Sequence, residues 1–391
     1  MKNQSPYEIV LVCDFQVGLV LRILDVYRYF RKPPRIILVR RTDERSSAWP
    51  LSSMRVEVIP LPVKGLESSG LVHRFGAICA VIAYLLYSFV LYLRIRHRCN
   101  AIRLVHARFI FPQGLFGLVL ARLFKVPLVV SAEGSDVNAI MRRNAVLRAI
   151  CGFVLDRADR TIAVSIPLQR TLQQFGIAES VYLPNSIDTT SIRPNNDSCK
   201  SDCILFVGSM TRNKRPLVLL HAFERVLARI ASASLVMCGN GPLLEAVKQE
   251  IQQKHLDAKV KLYPRAKPEL VIQLLSQAGV FVLPSESEGL SQALLEAMAA
   301  GKVIVASSNE SHKDLFRDGR SALLFRLDDE KDLAEKIVTG LTDDQLRSKL
   351  SRSVRQLCLR QFSTEKIAPR LEMIYLTAAS GEIKTSFEVR S

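Results

Sequence analysis

Short apolar runs alternate with helix-length stretches through most of the chain. The strand-like runs fall at residues 9–13, 36–39, 56–59, 104–106, 128–131 and 161–164. After a polar stretch, Arg193-Pro194-Asn195-Asn196-Asp197-Ser198, the series restarts at 204–207, 234–238, 260–262, 280–283 and 303–306. These runs are largely apolar, as strands covered on both faces of a parallel sheet are. The pattern predicts an α/β protein with two Rossmann-like parallel-sheet domains, 1–190 and 200–355. A helix over 356–378 and a loose polar tail over 379–391 follow.

Segment 76–93 breaks this rhythm. It carries no charged residue and is flanked by His73-Arg74 and by Arg94-Ile95-Arg96-His97-Arg98. By length it is a candidate membrane span. It lies between two strands of one sheet, however, and a span there would separate them across the bilayer. The favoured expectation is a helix docked in or on a membrane surface, its flanking cations snorkelling to headgroups. A helix buried within the domain and a true span stay open.

Composition narrows the function classes. The 391 residues hold 54 Lys+Arg against 37 Asp+Glu, a net charge of +17, with 48% hydrophobic residues. Disordered and fibrous chains are excluded by that apolar share. Residues 1–190 hold 25 Lys+Arg and 13 Asp+Glu, or +12, which leaves 29 and 24, or +5, for the rest. The cations form neither runs nor an alternation with aromatics, so no nucleic-acid partner is expected. An anionic membrane surface or phosphorylated ligands are the expected partners. The eight cysteines show no CxxC pair and no finger spacing, so they read as small buried hydrophobes, with no zinc site. The polar start lacks the apolar stretch of a signal peptide, and a cytoplasmic location is expected.

The chemistry gathers in Val282-Leu283-Pro284-Ser285-Glu286-Ser287-Glu288-Gly289-Leu290-Ser291, continued by Gln292 to Gly301. A buried strand ends at Pro284, and a helix begins near Ser291 and stops at Gly301. Gly289, Leu290 and Ser291 would present backbone N–H groups at a helix N-terminus, which suits a phosphate. Glu288 and Glu296 beside it could accept hydrogen bonds from sugar or ribose hydroxyls. Two glutamates eight apart also occur by chance, so the spacing alone decides nothing.

The surrounding motifs decide more. The run resembles the Glu-x7-Glu motif of the retaining GT-B glycosyltransferases of the "glycosyl transferases group 1" family. Phe206-Val207-Gly208-Ser209-Met210-Thr211-Arg212-Asn213-Lys214 resembles that family's diphosphate-binding strand and loop. Gly239-Asn240-Gly241-Pro242-Leu243 resembles its Gly-x-Gly-Pro-Leu turn, and Pro184-Asn185-Ser186-Ile187-Asp188 the element closing its first domain. Gly134-Ser135-Asp136 and His106…Phe111-Pro112-Gln113-Gly114 resemble its first-domain motifs, and Phe362 to Tyr375 its closing helix. The motifs occur in the family's order, over about residues 7–377.

The resemblance implies two domains facing a cleft, with a C-terminal helix crossing back to the first. It implies transfer of a sugar from a nucleoside diphosphate sugar with retained anomeric configuration and without a metal or other cofactor. Cations and a helix N-terminus would stabilise the departing diphosphate. By the same resemblance Gly208, Ser209, Arg212 and Lys214 hold the diphosphate, Glu296 the ribose, and Arg265 lies near the base. Glu288 and Glu133 take the catalytic positions, with Gly289, Leu290 and Ser291 on the donor and Gly18 and Asp136 on the cleft side.

Four departures stand out. Ser209 replaces the family's arginine, Glu133 its histidine, Glu310-Ser311-His312-Lys313-Asp314 its Gly-Gly-x-x-Glu, and only Gly18 remains of a glycine pair. His312 itself reads as an incidental exposed loop histidine. The expected function is transfer to a glycan or lipid-linked acceptor at the cytoplasmic membrane face, in cell-envelope polysaccharide synthesis. The alternatives are a soluble transferase to a small phosphorylated acceptor and a catalytically weak binding partner.

Overall fold

The computed structural model describes residues 8–13, 24–41, 56–61, 86–97, 99, 101–141, 145–177, 179–192, 194 and 202–380. Gly18, most of the polar stretch at 193–198, the first ten residues of segment 76–93 and the tail from 381 lie outside these residues.

Every expected strand is present, and all pair in parallel. The first sheet runs β3-β2-β1-β4-β5-β6-β7. It is built from β1 (Glu8–Val12), β2 (Arg35–Arg41), β3 (Val56–Leu61), β4 (Ile102–Arg108), β5 (Leu128–Ala132), β6 (Arg160–Ala163) and β7 (Val181–Tyr182). The second runs β10-β9-β8-β11-β12-β13. Its strands are β8 (Cys203–Val207), β9 (Ser234–Cys238), β10 (Val260–Tyr263), β11 (Val280–Leu283), β12 (Val303–Ser307) and β13 (Leu323–Phe325). Strands β1, β5, β11 and β12 are buried along their whole length, which is why their sequences are apolar but for Glu8, Ser131 and Ser307. Only β7 and β13 escaped the sequence pattern. At two and three residues they are too short to show a period.

The chain divides into two compact units, Met1–Pro184 with Ile367–Ser391, and Asn185–Lys366. The first boundary therefore falls at Pro184 rather than between 190 and 200. Ile187 explains the shift. Its N–H donates to the Phe362 carbonyl (2.9 Å), its carbonyl accepts from Thr364 N–H (3.1 Å), and Ile187 and Ile192 pack with Leu205, Phe281 and Leu294 in the second unit's core. The region expected as one helix over 356–378 is two, Asp344–Gln361 and Thr364–Ser380, broken at buried Phe362.

The last helix completes the first unit. Ile367, Leu371, Ile374 and Tyr375 join Ile9, Leu11, Leu38 and Val129 in one core. Within it the Tyr375 hydroxyl lies 2.8 Å from the Tyr27 hydroxyl and 2.6 Å from His106 Nδ1, while His106 Nε2 lies 2.8 Å from Ser131 Oγ. Burial first, and Arg108 second, hold His106 well below the usual histidine value, so the ring is neutral. A neutral ring can donate at one nitrogen and accept at the other, which suits this chain of hydroxyls. Tyr375→Phe removes the hydroxyl joining Tyr27 to His106. It is expected to cost about 1–3 kcal/mol, read as a lower denaturation midpoint.

Candidate functional site

In an open parallel sheet, ligands bind at the carboxyl ends of strands where the winding direction reverses. In the second unit that point lies between β8 and β11, which are neighbours in space but not in sequence. The loops leaving these two strands carry Gly208–Lys214 and Pro284–Ser291, so topology alone brings the expected donor residues together.

The loop after β8 is shaped by glycines. Gly208 N–H donates to the Cys238 carbonyl (2.9 Å) and Met210 N–H to the Asn240 carbonyl (2.9 Å), locking this loop to the one after β9. Gly239 and Gly241 have φ of 144° and 158°, and a Cβ on either would lie 1.8 Å and 2.5 Å from the carbonyl oxygens of Gly208 and Met210. Ser209 and Arg212 are exposed at the loop's surface. Asn213 clasps the neighbouring loop. Its Oδ1 accepts from Ser287 N–H (3.2 Å) and Oγ (2.9 Å), its Nδ2 donates to the Ser287 carbonyl (2.8 Å), and its carbonyl accepts from Glu286 N–H (2.8 Å).

This clasp delivers Lys214 Nζ to Glu288 Oε1 as an ion pair between side chains only 17% and 9% exposed. Burial opposes ionisation of Glu288, but the Lys214 ammonium and its hydrogen bond outweigh it and hold the carboxyl below its ordinary value. Ser291 caps the helix Gln292–Ala299, its Oγ accepting from Leu294 N–H (3.4 Å). Gly289 is buried, the Leu290 carbonyl accepts from Asn185 Nδ2 (3.2 Å), and Glu296 is fully buried on the helix. Arg265 sits apart, exposed on the turn after β10, the edge strand two places from β8.

His312 corrects the sequence reading. It is 1% exposed, on the helix Glu310–Leu315, with Nδ1 2.8 Å from the Ser307 carbonyl oxygen. It was legible only as a loop residue because the turn that buries it is closed by distant groups. Asn309 Nδ2 donates to the Ser285 carbonyl (3.0 Å), and Ser311 Oγ to the Glu288 carbonyl (2.7 Å). Asn213 was likewise missed as a functional position, although it stands between two residues the motif highlights.

The first unit presents a second set of groups by itself. The negative charge of Glu133 is not left unbalanced. Arg108, at the end of β4, donates from Nε to its Oε1 (2.7 Å), with Nη2 2.6 Å away, and the two side chains are 11% and 6% exposed. Burial works against the Arg108 charge, but Glu133 more than restores it. Asp136 is fully buried and accepts from Ile110 N–H (2.9 Å), Gly134 N–H (2.9 Å), Val137 N–H (3.1 Å) and Glu133 N–H (3.2 Å). Burial pushes its carboxyl up to about 6 against the pull of those amides. Its carboxylate thus organises the loops after β4 and β5. A signal for this lay in Gly134-Ser135-Asp136, where an Asp two residues past a glycine favours bonds to nearby backbone.

Comparison with known proteins agrees with this geometry. Residues 188–357 match the model of Glycosyl transferases group 1, and residues 40–191 that of Glycosyltransferase Family 4. The chain is similar to N-acetyl-alpha-D-glucosaminyl L-malate synthase of Bacillus anthracis, at 23% identity over 70% of this chain and 74% of that protein. It is also similar to UDP-Gal:alpha-D-GlcNAc-diphosphoundecaprenol alpha-1,3-galactosyltransferase of Escherichia coli, at 23% over 67% and 72%. Among solved structures, Anabaena HepE in complex with UDP and glucose superposes with a TM-score of 0.75 at 16% identity, over 94% of this chain and 99% of that one, which shows the shared fold. By its motifs, its two parallel-sheet domains and these matches, the chain belongs to the group 1 glycosyltransferases and has their GT-B fold.

Proposed function

We propose that this protein moves a sugar, with retained anomeric configuration and without a metal, from a nucleoside diphosphate sugar to a glycan or lipid-linked acceptor. The observation that carries the donor half is the Lys214–Glu288 pair at the carboxyl ends of β8 and β11, beside the helix capped by Ser291. Lys214, aided by Arg212 and the N–H groups of Ser209 and Gly289–Ser291 on a loop that Gly208 fixes in place, stabilises the diphosphate as charge develops on it. Glu288 holds sugar hydroxyls, Glu296 the ribose and Arg265 the base side. In the first unit Glu133 takes the other catalytic position and Asp136 serves the acceptor side. The test is a panel of UDP-, GDP- and ADP-sugars with the purified protein and chelator. Release of nucleoside diphosphate and an α-product from an α-donor is expected. An inverted product, or activity restored only by added metal, would overturn this reading.

A membrane-borne acceptor at the inner face of the cell membrane is supported by the helix at residues 86–96. Leu86, Phe89, Val90 and Leu93 are exposed along one face at helical spacing, with Arg94, Arg96 and His97 exposed at its end. The other face is anchored. Leu91 and Ile95 are buried, and Tyr87 and Tyr92 pack their rings on Phe116 and Phe124. Among the described residues no helix is long and apolar enough to cross a membrane. Such a helix suits lying on an anionic surface. The diphosphoundecaprenol in the name of the similar galactosyltransferase is in keeping with a lipid-linked acceptor. Flotation with phosphatidylglycerol liposomes is expected, and Phe89→Glu should weaken it by roughly tenfold or more. Equal flotation of both proteins would sink the membrane assignment and favour a small soluble acceptor.

A further inference from the structure

Lys214 faces two demands. In this structure it neutralises Glu288, and on the reading above it holds the diphosphate when donor is bound. A lysine drawn to a diphosphate leaves a largely buried carboxylate short of positive charge, which is costly unless another cation takes over.

His312 is placed to do so. Its Nδ1 faces the Ser307 carbonyl oxygen, which can only accept, so Nδ1 carries the proton and Nε2 of the neutral ring is an acceptor. Nε2 is buried and has no hydrogen-bond partner. A buried polar atom of this kind calls for a reason. The charged groups acting on the ring from other elements are Glu288, on the loop after β11, and Lys214, on the turn after β8. Glu310, Lys313 and Asp314 of its own helix are exposed, Ser307 Oγ lies 3.4 Å from Nδ1, and the Phe316 ring centroid is 6.4 Å from that of the imidazole. Burial first, then Lys214, depress its proton affinity, while Glu288 and the Ser307 carbonyl favour the proton. Moving the ammonium away therefore removes one of the two influences that oppose protonation, leaving burial against it and Glu288 and the Ser307 carbonyl in its favour.

We propose that His312 is the positioning residue for Glu288 in the donor-loaded state, its Nε2 taking a proton from solvent as Lys214 turns to the diphosphate, so that donor binding is coupled to proton uptake. Protonated Nε2 then donates toward the carboxylate and keeps Glu288 ionised to receive the sugar hydroxyls. This rests on the donor-site reading above.

The test is calorimetric titration of the full chain with UDP, GDP and ADP in buffers of different ionisation enthalpy. For whichever binds, the observed enthalpy is expected to rise with buffer ionisation enthalpy, reporting net proton uptake. The dissociation constant is expected to increase as pH is raised from about 6 to 8, by at most about tenfold per pH unit. His312→Asn keeps a donor for the Ser307 carbonyl but has no titrating nitrogen, so both dependences should vanish while binding persists. Binding by the unaltered protein with no buffer dependence, or an unchanged dependence in His312→Asn, overturns the coupling even if the variant is unstable. No binding of any nucleoside diphosphate overturns the donor-site reading itself, and the coupling with it.

Discussion

Lys214→Ala is expected to reduce sugar transfer by roughly 10²–10³-fold in kcat, the usual cost of losing one preorganised group that stabilises developing charge. Combined with His312→Asn, the same substitution should lower the stability of the second unit by about 3–5 kcal/mol at neutral pH, because it strands Glu288 in a site where its side chain is only 9% exposed. The pH dependence gives the sharper test. In the unaltered protein Glu288 lies below its ordinary value, because the Lys214 ammonium outweighs burial. The stability it contributes is full above about pH 4.5 and is lost as pH falls through the lower folded value. With Lys214 gone and no imidazole to take its place, burial dominates and the folded value rises above the unfolded one. The sign then inverts, and the variant regains stability relative to the unaltered protein as pH falls below about 5. Urea denaturation at a series of pH values reads this directly. Glu288→Gln should lose transfer as well, yet show no such inversion. Transfer at the original rate in Lys214→Ala would end the donor-site assignment.

Gly239→Ala should be among the most damaging single-methyl additions at the described residues. Its φ of 144° is one that residues with side chains rarely adopt, and the added Cβ would lie 1.8 Å from the Gly208 carbonyl oxygen. The obstruction is backbone, so no rotamer change relieves it. The loops after β8 and β9 would have to part, breaking the bonds from Gly208 to Cys238 and from Met210 to Asn240. A loss above about 4 kcal/mol is expected, together with loss of nucleotide binding as Ser209–Lys214 shift. Gly319→Ala is the control. Its φ is 67°, but nothing lies within 4 Å of the added Cβ, so only the left-handed strain of about 1–2 kcal/mol applies. Denaturation midpoints of the two variants that coincide would show that the interlocked loops do not hold the site.

Much of the fold is legible in the amino-acid sequence. A strand buried on both faces must be apolar along most of its length, so β1, β5, β11 and β12 announced themselves, and their alternation with helices required parallel sheets. The strand-to-helix turn around Glu288 was legible for a similar reason. A proline, a glycine and a capping serine each mark a backbone constraint that acts within a few residues. Polar partnerships across the sheet were not legible in this way. Arg108 and Glu133 are 25 residues apart, Asn213 and Ser287 74, and His106 and Tyr375 269. No local rule predicts which partner a buried polar group finds.

The charge and hydropathy of the chain divide along the same line. The sequence by itself determined the order of elements, the parallel α/β class, the family, and the residues gathered at the end of β8 and β11. These follow from periodicity and from constraints acting over a few positions. Only the tertiary structure decided that Glu133 is neutralised by Arg108, that Asp136 ties loops together, that His312 is buried beside the donor site, and that the outer face of the helix at 86–96 is apolar. Each of these depends on which distant groups are brought within a few ångströms in a region poor in water, where a charge or a polar atom must find a partner or shift its proton.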